Sequence, residues 1–270
     1  PEELANNTYS TAAAWLAFGL DPSKTIFYKQ SDVPATTELS WVLSSIFPYQ
    51  RLTLAHSFKD KSSQLKDVNV GLFTYPMLMA ADILLYDAEI VPVGKDQLQH
   101  LEITRDVAIK FNNQYGETLV VPESSINEQT KYVIGTNGEK MSKSKNNIIN
   151  IFLEEKLLNK QIMSIETDSK PLESPKNPET CNVFKIYSLL ASNEMIEDLR
   201  SKYKNGGFGY GHAKKELLDL ILNKFSKPRD KYNYLMSNKN EIDQILSEGS
   251  KKASKTANQV MDRVRKKLGY

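Results

Sequence analysis

The stretch that decides the fold is Glu89-Ile90-Val91-Pro92-Val93-Gly94-Lys95-Asp96-Gln97, which runs directly into Leu98 to Phe111. Residues 89–93 read as a short strand and residues 98–111 as a helix, with Gly94 and three polar residues between them. In a parallel α/β sheet, a strand that ends in Gly and polar residues at a helix N-terminus is the usual place for a ligand. Gly94 lets backbone approach a ligand closely, and the N–H groups of the new helix can meet phosphate or ribose. His100 on that helix reads as a packed or hydrogen-bonded histidine. Its spacing to His56 and His212 is not that of a metal site.

Upstream, residues 71–86 read as a second helix. Tyr75, Met79, Asp82 and Tyr86 recur at helical spacing and share a face, with Leu78 and Leu85 on the neighbouring one. Asp82 is therefore a carboxylate in an otherwise apolar helix, and a carboxylate is seldom buried without a partner. Two readings stay open. Asp82 caps or pairs with an unseen Lys or Arg, or it accepts an N–H of a ligand in an aromatic and Met-lined pocket. Residues 4–18 form an Ala-rich helix stopped at Gly19, and Thr25 to Gln30 reads as a strand. Val33-Pro34 opens a helix that stops at Pro48. Strand–helix alternation points to an α/β domain with a parallel sheet. Residues 49–70 are polar and irregular and read as a connector.

Downstream, the chain is loop-rich from Asn112 to Asn127, and Thr130 to Gly135 reads as a last strand. It leads into Gly138-Glu139-Lys140-Met141-Ser142-Lys143-Ser144-Lys145-Asn146. Gly and Asn around it favour turns, so the lysines sit on an exposed loop. Ammonium groups gathered on a flexible loop suit a polyanion such as a triphosphate, although a bare charge run is most often only solvated surface. Beyond Asn150 the chain reads as helical: 151–163, a polar linker 164–180 with three prolines, then 181–201, 213–225, 229–236 and one long amphipathic helix from Ile242 to Leu268.

The chain has 270 residues with a net charge of +2, unevenly placed. Residues 1–180 carry 17 basic and 23 acidic side chains, and residues 181–270 carry 18 and 10. A basic C-terminal third suggests a segment that meets a polyanion, with a solvated basic helix face as the alternative. The lone Cys181 reads as a small core residue, and no apolar run approaches bilayer length. A reducing, cytoplasmic setting with no membrane contact is expected.

Three pieces in order, Tyr75-Pro76-x-Leu78-Met79-Ala80-Ala81-Asp82-Ile83, then Val91-Pro92-Val93-Gly94-x-Asp96-Gln97-x-Gln99-His100, then Lys140-Met141-Ser142-Lys143-Ser144, resemble the bacterial tryptophanyl-tRNA synthetases, which are class I enzymes. The similarity runs the length of the chain. It implies an α/β, Rossmann-like parallel sheet followed by an all-helical module, and ATP-dependent activation of L-tryptophan followed by transfer to tRNA(Trp). By resemblance, Asp82 accepts the indole N–H, while Tyr75, Met79, Ile83, Val91 and Val93 line the ring pocket and Gln97 helps fix the amino acid. Gly94, Lys95 and Asp96 map to the ribose and phosphate region, where relatives often carry an acidic residue in place of Lys95. Val133 touches adenine. By the same resemblance Lys140 and Lys143 hold ATP phosphates in a loop completed by Met141, Ser142 and Ser144, and Lys61 matches a lysine on another loop that also reaches the phosphates. Mg2+ is expected through the ATP phosphates and not in a protein cage.

The resemblance divides the chain into a catalytic domain at 1–149, a helical tRNA anticodon-binding module at 150–237 and a C-terminal helix at 238–270 that packs back on the body. It also implies a homodimer. Class I synthetases open with a strand, a loop and a His-x-Gly-type motif that meets ATP, and none of the three His residues lies in such a motif. The expectation is therefore that this first strand–loop–helix is missing and that the chain as given activates tryptophan poorly. The rival readings are a tyrosyl-type class I synthetase, a non-catalytic tRNA-binding or dimerisation fragment, and a generic nucleotidyltransferase.

Overall fold

The computed structural model describes residues 1–55, 67–126 and 133–270. In chain order the elements are helices α1 (Glu2–Ala17), α2 (Ala35–Ile46), α3 (Tyr49–Leu52) and α4 (Val70–Leu84), strand β1 (Ile90–Val93), helix α5 (Leu98–Tyr115) and strand β2 (Glu123–Ile126). Helices α6 (Glu155–Met163), α7 (Asn182–Ser188), α8 (Asn193–Asn205), α9 (Tyr210–Lys224), α10 (Ser226–Ser237) and α11 (Lys239–Leu268) complete it. They form two compact units. The sheet unit holds residues 21–130 and 243–270, and the loop unit holds residues 1–20 and 131–242. Each unit is assembled from two separate segments of the chain.

In the sheet unit, β1 and β2 pair in parallel, with Ile90 opposite Glu123 and Val93 opposite Ile126. Parallel neighbours need a long crossover, and α5 supplies it. Helices α2, α4 and α5 pack on one another through Leu39, Leu43, Met77, Leu84, Val107 and Phe111, all fully buried. The same core takes in Ala253, Ala257, Val260, Met261 and Val264 of α11. Two arginines pin this helix at the surface. Arg265 donates to both oxygens of Glu38 (2.7 and 2.5 Å) and Arg263 to Asp87 (2.5 Å). Asn69 caps α4, its Oδ1 accepting the Leu72 N–H at 2.9 Å.

In the loop unit, α6 to α9 close a second core around Leu158, Ile162, Val183, Leu199, Tyr203 and Leu217. Cys181 is buried in it, as expected, with its Sγ 3.4 Å from the Tyr203 hydroxyl. Lys176 is buried too. Its ammonium donates to the carbonyls of Pro171, Leu172 and Ser174 at 3.0–3.1 Å, which ties the proline-rich linker into a compact loop. Helix α1 packs on α10, where the Ser10 and Tyr232 hydroxyls meet at 2.9 Å. Phe18 lies edge-on to Phe152 and Phe225.

Several expected elements differ. Residues 25–30 form no strand. Asp21 instead turns the chain by accepting the Ser23 N–H, and a 3-10 turn follows at Gln30–Asp32. The aromatic and β-branched pattern there reflects side-chain packing, which strand and coil share when no ladder partner is present. Strand β2 was not expected, because Glu123-Ser124-Ser125 is polar and shows no alternation. Within the described part of 130–135, Val133 to Gly135 form a single antiparallel bridge, Ile134 to Lys140, and not a strand. The helix expected over 181–201 is two helices, because Ser192 accepts the Met195 N–H and starts α8 afresh. Pro228, which lies between the helices expected at 213–225 and 229–236, sits in the first turn of α10, where its missing N–H has no intrahelical acceptor to serve.

Candidate active site: an amide-held carboxylate and a lysine loop

Asp82 lies near the end of α4, half-buried. Its partner is neither Lys nor Arg. The side-chain Nε2 of Gln30 donates to Oδ1 and Oδ2, at 2.7 Å from each. Burial pushes the Asp82 carboxyl above its ordinary range, and the Gln30 bond pulls the other way. Behind it stand two tyrosines. The Tyr28 hydroxyl donates to the Tyr86 hydroxyl at 2.6 Å, with ring centroids 5.8 Å apart. Both phenols are shifted upward, chiefly by burial, so both are neutral at physiological pH. On the same helix Tyr75 is exposed and stands edge-on to buried His100, centroids 5.9 Å apart. Met79 is half-buried and Ile83 is buried.

Strand β1 leaves Val91 and Val93 half-buried on one face while Ile90 and Pro92 point outward. Gly94 then starts a 3-10 turn, Lys95–Gln97, which feeds α5. The Gln97 N–H donates to the Gly94 carbonyl at 2.9 Å, and Gln97 Nε2 reaches Asp96 at 3.3 Å. Gly94, Lys95 and Asp96 are exposed. This strand end therefore offers accessible backbone and polar groups at a helix start, the geometry suited to ribose and phosphate.

The lysine loop is more ordered than a charge run requires. The Ile134–Lys140 bridge opens it, and the Met141 N–H donates to the Val133 carbonyl at 2.8 Å. Buried Asn147 closes it. Its Oδ1 accepts the Ser142 N–H (2.8 Å), and its Nδ2 donates to Asn137 Oδ1 (2.7 Å) and the Lys140 carbonyl (3.2 Å). Its own carbonyl accepts the Thr136 N–H. Gly135 packs so closely on Asn147 that a Cβ there would overlap its backbone and side chain. Lys145 pairs with Glu139 at 2.8 Å, and that bond holds the Glu139 carboxyl below its usual range. Lys140 and Lys143 are exposed, and among the described residues neither forms an ion pair. One lysine of three is thus spent on the loop itself, and among the described residues the other two present ammonium groups without an ion-pair partner.

Residues 1–227 match the family described as tRNA synthetases class I (W and Y). The chain belongs to that family. It is 48% identical over 268 residues to the tryptophan–tRNA ligase of Campylobacter jejuni (strain RM1221), covering 99% of this chain and 84% of that protein. It is 50% identical over 269 residues to the tryptophan–tRNA ligase of Fusobacterium nucleatum, covering 99% and 82%. The crystal structure of the Campylobacter jejuni tryptophanyl-tRNA synthetase complexed with ADP and tryptophan superposes with a TM-score of 0.95 at 48% identity, over 100% of this chain and 84% of that one. The Mycoplasma pneumoniae tryptophanyl-tRNA synthetase superposes with a TM-score of 0.77 at 26% identity, covering 100% and 84%. The fold of this synthetase is thus the α/β, Rossmann-type fold of class I enzymes.

Within the sheet unit of this synthetase, Tyr75, Met79, Asp82 and Ile83 come from α4, Val91 and Val93 from β1, and Gly94, Lys95, Asp96 and Gln97 from the turn after it. Val133, Lys140, Met141, Ser142, Lys143 and Ser144 belong to the loop unit. Lys61 lies outside the described residues. Sequence reasoning missed Gln30, Tyr28 and Asn147. Gln30 sat inside an expected strand, where a glutamine is unremarkable. Asn147 lies just beyond the lysine motif, where a second asparagine reads as ordinary turn sequence. The signal for both was their neighbourhood: a polar amide beside the aromatics Phe27-Tyr28, and a second Asn just past the lysines.

Proposed function

We propose that this chain is a tryptophan–tRNA ligase, which activates L-tryptophan with ATP to tryptophanyl-adenylate and transfers it to tRNA(Trp). The observation that carries the reading is Asp82, a half-buried carboxylate with a neutral amide for company and no cation bonded to it among the described residues. A structural carboxylate is normally paired with Lys or Arg, whereas this one keeps acceptor capacity for a ligand donor. On this reading the indole N–H donates to Asp82, and Tyr75, Met79, Ile83, Val91 and Val93 surround the ring. Gln97 holds the amino acid. A competing side chain without a matching donor leaves the carboxylate unpaired, which costs about 1–3 kcal/mol.

Gly94, Lys95 and Asp96 would hold the nucleotide ribose and phosphate, and Val133 would touch adenine. The tryptophan carboxylate attacks the α-phosphorus, and negative charge grows on the departing pyrophosphate. Lys140 and Lys143, on a loop shaped by Met141, Ser142 and Ser144, meet that charge together with Lys61 from another segment. Ammonium groups placed there favour the transition state over the ground state. Mg2+ would arrive with ATP and be held mainly through its phosphates. The helices of 150–237 would meet the tRNA anticodon region, with 238–270 as the C-terminal helix against the catalytic domain and a homodimer as the working form. The relatives are bacterial tryptophan–tRNA ligases, which supports a cytoplasmic setting. Among the described residues, no helix is long and apolar enough to cross a membrane.

Calorimetric titration tests the reading. Tryptophan should bind and tyrosine should not, and Asp82→Ala should weaken tryptophan while ATP affinity stays near the original value. Unchanged tryptophan affinity in Asp82→Ala would remove the pocket assignment.

A further inference from the structure

We infer that Gln30 is a specificity-determining positioning residue of the amino acid site: its side-chain amide holds the Asp82 carboxylate in place and in acceptor form, so that an indole N–H is read. This rests on the reading of Asp82 given above. The amide nitrogen lies 2.7 Å from both carboxylate oxygens, so a single donor group engages the two of them and holds the carboxylate in place. Gln30 reaches Asp82 from a separate segment that is itself pinned. The Val33 N–H donates to the Gln30 carbonyl at 3.1 Å and the Asp32 N–H to the Lys29 carbonyl at 3.0 Å. Ser250 on α11 donates to Asp32 at 3.2 Å. The amide is thus presented by a braced turn and not by a free surface chain.

The chemistry of the donor matters. A Lys or Arg in its place would make a charge-assisted bond, roughly twice as strong, and would neutralise the carboxylate. A neutral amide leaves the charge in place. An ionised carboxylate offers about four lone-pair sites, and one amide nitrogen engages at most two of them. Capacity therefore remains for one more N–H. Among the described residues, the titratable groups that Asp82 acts on are the Tyr28 and Tyr86 phenols, whose hydroxyls bond each other and stay neutral. Among the described residues no ion pair to Asp82 is formed, and no donor besides Gln30 bonds it. Burial works to protonate this carboxyl, and Gln30 is the group that opposes burial. Take the amide away and the carboxyl protonates at higher pH, so the acceptor is lost at higher pH.

The test is calorimetric titration of two probes, L-tryptophan and its benzothiophene analogue with sulfur in place of the indole N–H. They are run near pH 7 and near pH 5 on the original protein, Gln30→Met, Gln30→Glu and Asp82→Ala. Gln30→Met keeps length and removes the donor. It should weaken tryptophan about three- to tenfold near neutrality, shift the acid loss of tryptophan binding to higher pH, and leave the benzothiophene analogue almost unchanged. Gln30→Glu sets a second carboxylate against Asp82. It should weaken tryptophan more than Gln30→Met near pH 7 and recover part of that loss on acidification, as the pair comes to share a proton. These opposite pH slopes would not arise from mere loss of packing. If Gln30→Met keeps the original affinity and pH profile while Asp82→Ala loses the preference for tryptophan over the analogue, the inference about Gln30 is wrong and the site reading stands. If Asp82→Ala also keeps that preference, the site reading falls and this inference falls with it.

Discussion

On the proposed function, Asp82 and Asn147 divide their work between folding and chemistry. Burial raises the Asp82 pKa above its ordinary carboxylate value. The folded state therefore binds that proton more tightly than the unfolded chain does. The stability this supplies is present at low pH and is lost as pH rises through the folded pKa. Near neutrality the ionised Asp82 is thus a burden on the fold. Asp82→Asn should melt a few degrees higher than the original protein near pH 7, and the two curves should converge as pH falls below the usual carboxylate range. Differential scanning calorimetry at several pH values checks this, and the gain should come with weaker tryptophan binding, the usual trade at a functional position. Asn147 bonds the backbone at Lys140 and Ser142 and the side chain of Asn137, and among the described residues it makes no hydrogen bond to an ammonium group. Asn147→Ala should slow adenylate formation about tenfold, with tryptophan affinity within about twofold, because a group that only positions the lysines contributes less than the roughly hundredfold of a direct contact. Lys143→Ala measured alongside gives that larger reference.

At the level of elements, α11 owes its place in the sheet unit to burial more than to charge. Its Arg265–Glu38 pair has good two-point geometry, and that bond holds the Glu38 carboxyl low. Glu38 is exposed and Arg265 half-buried at the surface, and such surface pairs are worth about 0–1 kcal/mol. Five fully buried side chains on the same helix outweigh it, at about 1.5–3 kcal/mol each for Val or Met. The tightest point is Gly249, where a Cβ would overlap the backbone carbonyl of Phe27. Backbone cannot swing aside as a side chain can. Gly249→Ala should therefore destabilise the sheet unit by about 3 kcal/mol. Glu38→Gln should change urea-unfolding stability by less than about 1 kcal/mol. Equal effects from the two would mean that the close crossing does not hold the helix.

For the whole molecule, ligand linkage is the decisive measurement. A ligand that binds only the native state stabilises it by about 2.7 kcal/mol at 100 times its Kd. Tryptophan at that excess should raise the melting temperature, and tyrosine at equal concentration should not. A non-catalytic tRNA-binding fragment would retain tRNA with no response to tryptophan. The uneven charge supports the tRNA side of the reading, since the chain from residue 181 onward holds 18 basic against 10 acidic groups.

Local patterns alone were enough to reveal the strand–Gly–helix step at 89–98, the apolar helix bearing Asp82, the lysine loop and the long final helix. Each of these rests on periodicity or on an unusual short motif, both of which are properties of neighbours in the chain. The partner of Asp82 lies 52 residues away in a segment whose aromatic character imitated a strand. The strand β2 that completes the parallel pair is polar, and it exists only because β1 is there to receive it. The grouping of residues 1–20 with 131–242 likewise depends on which faces bury each other. Contacts between distant segments leave no periodic trace in either one, so they became visible only once the chain was folded.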